Sequence, residues 1–571
     1  MLKALINQIV QFYPIRKALT YPIRRQIRRF DAATQRPREV QAALLQRILR
    51  RQADTAFGRD HGFAQVRTLA DFRRHVPVAG YERLEPYIDR VRRGEFRALL
   101  ADPEVLMFAL TSGTTAARKF IPVTRQYVDD YKRGWQMWGV RVYADHPEVR
   151  LKPILQLAGD PDEFRTEAGI PCGAITGLTA QMQKRIIRWL YCVPGPTGRI
   201  KNIASKYYVA LRLSIPRKVG MIIAANPSTL LHLARAGDQQ KERLIRDIHD
   251  GRLSGHVDLP ADIRATISRG LRPNPRRARE LEEVVRRTGH LYPSGYWPHK
   301  FLIGTWTGGS VGAYVRHLPD YFGPQAVIRD VGLIASEGRM TIPFADGTPS
   351  GTLDITSHFF EFIPEEEIDS PCPTVLEAHE LLEGRNYYIL PTTAYGLYRY
   401  DIHDVVRVTG FHHQTPQIEF LSKGAHFANL TGEKLSEYQV VQAVRDATRE
   451  LDLCVGTYSL APCWNEELPY YGLFVERGEL PDGSAALRLA EAVERRLMEL
   501  NSEYAAKRES QRLDAVRVEL LPPGAWQRWD GERLARSGGT QEQYKHPCLI
   551  NDLRFRDSMP VEREIAPLYA H

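Results

Sequence analysis

The stretch VLMFALTSGTTAARKFIPVT, Val105–Thr124, constrains the architecture more than any other part of the chain. Its apolar start, Val105–Leu110, reads as a buried strand. Small and hydroxylated residues follow at once, and then two cations, Arg118 and Lys119. Neither a core strand nor a solvated helix carries that composition. Ser112, Thr114 and Thr115 offer hydroxyl donors, and Gly113 lets backbone N–H groups approach a ligand closely. Such a loop after a strand suits a phosphate, because oriented amides and hydroxyls replace its water shell. A Ser/Thr/Gly turn is also an ordinary way to leave a strand, and the G-x-x-x-x-G-K-[ST] pattern of a P-loop is absent.

A chain of 571 residues implies several domains, or one large domain with an appendage. No run of eighteen apolar residues occurs, so no transmembrane helix is expected. The apolar stretch before Pro14 is short and lacks a small-residue cleavage site, so it is not read as a secretory signal. Six scattered cysteines without a C-x-x-C pair argue against a metal framework and suit a reducing cytoplasm. The net charge of +10 comes largely from arginines mixed with acids, as in NPRRARELEEVVRRTG (Asn274–Gly289), the pattern of a solvated helix face. No aromatic-interleaved basic motif of a nucleic-acid module is visible. The first thirty residues alone are basic with no acid before Asp31. They form either an arm that touches an anionic membrane surface or a helix packed through Leu5, Ile9, Val10 and Phe12.

Apolar spacing predicts a helix over 38–54, an aromatic-rich stretch reads as a helix over 125–145, and Asn226-Pro227 and Asn274-Pro275 start helices over 226–250 and 274–289. Alternating and β-branched residues predict antiparallel strands over 338–367 and 386–412. Beyond Lys423-Gly424 the chain reads as a helix from Ser436-Glu437, two strands, a long helix over Ala485–Lys507 and a strand over Ala515–Leu521. This compact α+β unit places a boundary near Lys423, giving domains 1–423 and 424–571.

Further segments carry chemistry. IASEG (Ile334–Gly338) ends an apolar run, so Ser336 and Glu337 stand either at a cleft edge, with Glu337 a ligand for Mg²⁺, or in a plain strand exit. YRYDIHDVVRVTGF (Tyr398–Phe411) sets Asp401 and Asp404 three apart. A carboxylate there can accept ribose hydroxyls and Phe411 can stack on a base or acyl group, or the segment is a charged hairpin. GTWTGGSVGAY (Gly304–Tyr314) contains Trp306, which with Trp138 lines an acyl pocket or fills core. QYKHP (Gln543–Pro547) presents Lys545.

In this order the segments resemble the adenylate-forming superfamily. The hydroxyl loop matches its S-G-T-T-G-x-x-K motif except at Ala116, where glycine is usual. A closer resemblance is to the auxin-responsive acyl-acid amido synthetases of plants and bacteria. It rests on TSGTTAARKFIPVT, IASEG, FFEFIP (Phe359–Pro364), LYRYDIHDVVRVTGFHHQTPQIEF (Leu397–Phe420), GEKLSE (Gly432–Glu437) and QEQYKHP (Gln541–Pro547). Asp401 and His403 stand where plant members usually carry Arg and Gly, while Asp404 keeps its place.

The resemblance implies an α/β fold: a large N-terminal adenylate-forming domain with a β-barrel portion, and a small mobile α+β C-terminal domain hinged at Lys423-Gly424. It implies ATP and Mg²⁺, with a small carboxylic acid and an amine or amino acid as substrates of a monomeric cytoplasmic enzyme. Ser112, Gly113, Thr114, Thr115 and Lys119 would hold ATP phosphates, Ser336 the α-phosphate and Glu337 the metal. Asp404 would take the ribose with Phe411 packed nearby, and Lys545 would bridge phosphate and acyl carboxylate. Two other readings stay open: an acyl-CoA or carrier-protein ligase, and a catalytically inactive membrane- or partner-binding protein.

Overall fold

The computed structural model describes residues 13–111, 119–183, 188–308, 312–315, 317–368, 370–423, 427–465, 468–537 and 547–567. The fold divides into two compact units, the first ending at Leu421 and the second beginning at Ser422.

The first unit opens with helix α1, Tyr13–Ala33. Ile23, Ile27 and Phe30, spaced for one helical face, enter a core cluster with Met137 and Trp138. Arg24, Arg25, Arg28 and Arg29 are exposed. Leu5, Ile9, Val10 and Phe12 lie outside the described residues. Helix α2, Pro37–Gln52, starts on a proline and buries Leu44, Leu45, Ile48 and Leu49, the face expected from its spacing. Its buried Gln41 donates from Nε2 to the carbonyls of Ile355 and His358, both at 2.7 Å, and accepts from Phe360 N at 2.8 Å.

Strands β1, Met107–Thr111, and β2, Lys119–Val123, are neighbours in a four-stranded sheet. Helix α3, Arg125–Asp145, follows, its first turn capped by the Thr124 side chain on Tyr127 N. The predicted 226–250 helix is two helices, Ser228–Gln239 and Lys241–Asp250. A second four-stranded sheet contains 154–156, 221–223, β3 (Phe301–Thr305) and β4 (Ala326–Asp330), all parallel. All five β3 residues are buried, as a parallel strand covered on both faces requires.

The predicted antiparallel region begins with a hairpin, β5 (Ile334–Ala335) and β6 (Gly338–Arg339). It continues as a seven-stranded sheet that includes β7 (Phe359–Pro364), β8 (Asn386–Thr392), β9 (Asp404–His412) and β10 (Thr415–Lys423). Strands β7 and β8 are antiparallel, from Phe359 opposite Thr392 to Pro364 opposite Tyr387.

In the second unit, α4 (Glu437–Glu450) is followed by β11 (Tyr458–Trp464) and β12 (Pro469–Glu476), then α5 (Gly483–Leu500) and α6 (Ser502–Glu509). Strands β13 (Arg517–Leu521) and β14 (Arg563–Ile565) complete a sheet ordered β11-β12-β13-β14. The single helix expected over 485–507 breaks at Asn501. Its Oδ1 caps α6 by accepting from Glu503 N and Tyr504 N, while its Nδ2 donates to Glu433 O at 2.9 Å. A side chain that competes this well for backbone groups ends one helix and starts another.

Candidate nucleotide and acyl-acid site

The IASEG segment is the turn of the β5–β6 hairpin. Ser336 Oγ donates to Leu110 O at 3.4 Å, and Leu110 sits in β1 immediately before the hydroxyl-rich loop. Two buried tyrosines fix the turn from behind. Tyr127 OH donates to Ser336 O at 3.1 Å and Tyr395 OH to Glu337 O at 3.0 Å. Their rings lie 4.8 Å apart. Both carbonyls are thus held without using either side chain.

Glycine is required at Gly338. Its φ is 142°, and a Cβ there would fall 2.4 Å from Tyr395 Oη and 3.0 Å from His358 Nε2. Glu337 is 6% exposed, so its carboxylate is largely withdrawn from water. A carboxylate in such surroundings is costly unless it is paired, and a hard divalent cation suits it. Mg²⁺ keeps water and phosphate ligands and needs only one or two carboxylates. The donor set therefore fits Mg²⁺, although no group of three or more His, Cys, Asp or Glu able to hold a metal exists among the described residues.

His358 packs edge-on to Tyr395, and its Nε2 lies 3.3 Å from the Tyr395 hydroxyl. Burial holds its pKa down to about 4. Below the ordinary value of 6.5 the unfolded chain takes a proton that the folded chain refuses until about pH 4, so this group's contribution falls as pH drops through that window. Burial raises Asp130 and Asp330 to about 6, and these work in the opposite sense. His358→Gln should therefore remove a loss on the order of 3 kcal/mol between pH 6.5 and 4. Urea unfolding of variant and wild type at both pH values checks this; parallel pH dependence would refute it.

The loop before β9 is locked by its own side chains. Asp401 Oδ1 accepts from His403 N at 2.7 Å, and His403 Nδ1 lies 3.1 Å from Asp401 Oδ2. His403 has φ 57°, a left-handed conformation in which glycine is easiest. Asp404, 2% exposed, starts β9. Phe411, 40% exposed, lies near the far end of the same strand. At the rise of an extended strand the two are about 23 Å apart. They do not meet around one ribose, and the expectation that Phe411 packs beside Asp404 is corrected.

The two tryptophans also part company. Trp138 is 1% exposed and donates from Nε1 to Asp330 O at 2.8 Å, so it is core. Its ring fills the space beside Gly304, where a Cβ would come within 3.0 Å. Trp306 stays half-buried beyond the C-terminal end of β3, donating to Gly332 O at 2.9 Å. The carboxyl ends of parallel strands are where open α/β sheets place ligands.

Ser112, Gly113, Thr114, Thr115 and Lys545 lie outside the described residues, as does Gly424. Lys119 opens β2. The chain just after Lys545 is anchored: Ser459 Oγ donates to Pro547 O at 2.7 Å, and Glu437 Oε1 accepts from Cys548 N at 2.6 Å. Glu433 of GEKLSE is fully buried and accepts from Leu430 N, Thr431 N and Thr431 Oγ1. Sequence reading missed Tyr127, Tyr395, His358 and Arg339. Only Arg339 carried a signal, through its place directly after IASEG.

Three family profiles match the chain: the GH3 family N-terminal domain over residues 26–327, the central domain over 351–423 and the C-terminal domain over 438–554. A jasmonoyl–L-amino acid synthetase, JAR4 of Nicotiana attenuata, is 26% identical over 445 residues, covering 74% of this chain and 76% of the relative. A probable indole-3-acetic acid-amido synthetase, GH3.12 of Oryza sativa subsp. japonica, is 26% identical over 91% of this chain and 92% of the relative. Among solved structures, AtGH3.15 acyl acid amido synthetase in complex with 2,4-DB superposes with a TM-score of 0.66 at 21% identity, covering 96% of this chain and 98% of that one.

Proposed function

This chain belongs to the GH3 family, and from that premise we propose that it is an ATP-dependent acyl-acid amido synthetase. It joins a small carboxylic acid to an amine, an amino acid in keeping with the names of its relatives. One observation carries the reading. The Ser336–Glu337 turn is docked on the last residues of β1, so two segments 226 residues apart in sequence meet where the hydroxyl loop departs.

In the first step an oxygen of the acid attacks the α-phosphorus of ATP. The new O–P bond replaces the bond to pyrophosphate, which leaves with its electron pair. In the second, the amine nitrogen attacks the acyl carbon, AMP departs with the C–O bond electrons, and the nitrogen releases its proton to solvent. Adenylation is needed because a carboxylate cannot expel oxide. The chain's own part is to bind and orient. Ser112, Gly113, Thr114, Thr115 and Lys119 hold the phosphates, Ser336 the α-phosphate and Asp404 the ribose. Lys545 offsets charge between acid and phosphate. Glu337 would hold Mg²⁺, which neutralises phosphate charge when bound.

The test is acid-dependent release of pyrophosphate from MgATP, followed by AMP and amide formation on adding an amine. No pyrophosphate with any acid would refute the reading; a product formed only with a thiol would reassign it to the thioester ligases. Asp404→Asn should raise KM for ATP at least about tenfold, the loss of one charge-assisted hydrogen bond. Wild-type ATP affinity by titration calorimetry would remove Asp404 from the nucleotide.

A further inference from the structure

Arg339 follows Ser336, Glu337 and Gly338 directly in the chain, closes the β5–β6 hairpin and is only 2% exposed. Its stem lies flat on α3 at Gly134, where a Cβ would fall 2.2 Å from Arg339 Cδ. The helix thus gives up a side chain to admit it. The guanidinium stacks on Trp135, with Cζ 4.5 Å from the ring centroid. Nη1 donates to Thr341 O at 3.2 Å. Nε and Nη2 are buried and have no hydrogen-bond partner among the described residues.

The nearest carboxylates are already occupied. Asp330 accepts from Thr307 N, Thr307 Oγ1 and Gly332 N, at 2.7, 2.8 and 2.6 Å. Asp354 accepts from Thr356 and Ser357. An arginine guanidinium keeps its charge at neutral pH. A buried charge with idle donors is destabilising unless something completes it. The idle edge is a particular one. Nε and Nη2 form the planar side-on fork that pairs with both oxygens of a carboxylate.

Resting on the function proposed above, we propose that Arg339 determines specificity by gripping a second carboxylate of the acyl acid, so that the preferred substrates are dicarboxylic acids. The reacting carboxylate is a poor occupant for this fork. Both its oxygens would be tied up as donor-bound acceptors and weakened as nucleophiles. The placement agrees. Tyr127 marks the Ser336 end of α3, and Trp135 stands about 12 Å further along that helix. A diacid lying along α3 presents one end to the nucleotide and the other to Arg339.

The experiment compares kcat/KM for pyrophosphate release across straight-chain monocarboxylic acids and the dicarboxylic acids of matching length, in wild type, Arg339→Met and Arg339→Gln. Wild type should favour a diacid over its matched monoacid by at least about 100-fold, since the buried fork is left unpaired by the analogue. In Arg339→Met the preference should fall to within about threefold, with the monoacid rate maintained. Arg339→Gln serves if the methionine variant does not fold, as judged by circular dichroism, and should lose the preference likewise. A wild type indifferent to the second carboxylate overturns the inference. So does an equal loss on both acids in a folded variant, which would give Arg339 to the reacting carboxylate or to structure. Absence of pyrophosphate release with every acid refutes the enzymatic reading itself. In that case thermal shifts induced by the diacids, present in wild type and lost in Arg339→Met, still test the fork.

Discussion

Glu337→Gln is expected to slow acid-dependent pyrophosphate release at least about 100-fold, ~2.7 kcal/mol of barrier, while leaving the unfolding transition near that of wild type. The two halves of this expectation come from different atoms. The turn is held by its backbone, through Tyr395 on the Glu337 carbonyl and Tyr127 on that of Ser336, and an amide side chain disturbs neither bond. Among the described residues no ion pair to the carboxylate is formed that the substitution would break. What glutamine removes is a hard anionic oxygen available to a divalent cation, for which a neutral amide is a weaker ligand. The variant should also need more Mg²⁺ to reach half its maximal rate. Pyrophosphate release measured over a Mg²⁺ titration decides the matter: an unchanged rate with an unchanged midpoint excludes Glu337 from metal binding.

Glu361→Leu should have the opposite profile, a stability loss of about 3–5 kcal/mol in the first unit. Glu361 lies in β7, fully buried, and accepts from Arg73 Nε and Arg399 Nε, both at 2.7 Å. The Arg399 side chain is 5% exposed and also donates to Val76 O at 2.8 Å. It holds this place with φ 44°, so the pair fixes the strained loop that leads to Asp404. Removing the carboxylate strands a guanidinium in the core. Adding Arg399→Met to Glu361→Leu should recover much of the loss, because the buried one of the two guanidiniums is then removed with the carboxylate and only Arg73, 31% exposed, is left without it. Calorimetry of both variants checks this. A double variant no more stable than the single one would show that packing, and not the stranded charge, sets the cost.

The pair also shows what the motifs FFEFIP and LYRYDIHD have in common. As strings they are separate family signatures. In three dimensions Glu361 of the first neutralises Arg399 of the second, which makes them one structural element that delivers Asp404 to the start of β9.

The sequence by itself determined the local elements and the chemistry on offer. Apolar spacing located α2, aromatic content located α3, alternation located the antiparallel strands, and composition marked the hydroxyl loop, IASEG and the late lysine as chemical segments. These are short-range properties, written within one or two turns of chain. Tertiary structure decided what periodicity does not encode. Asn501 broke a continuous apolar pattern because its side chain found better partners in the backbone. Trp138 went to the core and Trp306 to a strand end, though both are plain tryptophans in sequence. Phe411 was carried away from Asp404 because seven residues of extended strand reach far further than seven residues of string suggest. The docking of Ser336 on Leu110, and the idle fork of Arg339 over Trp135, depend on contacts between residues some two hundred positions apart. Such contacts are set by how buried surfaces fit together, and no local pattern in the chain records that fit.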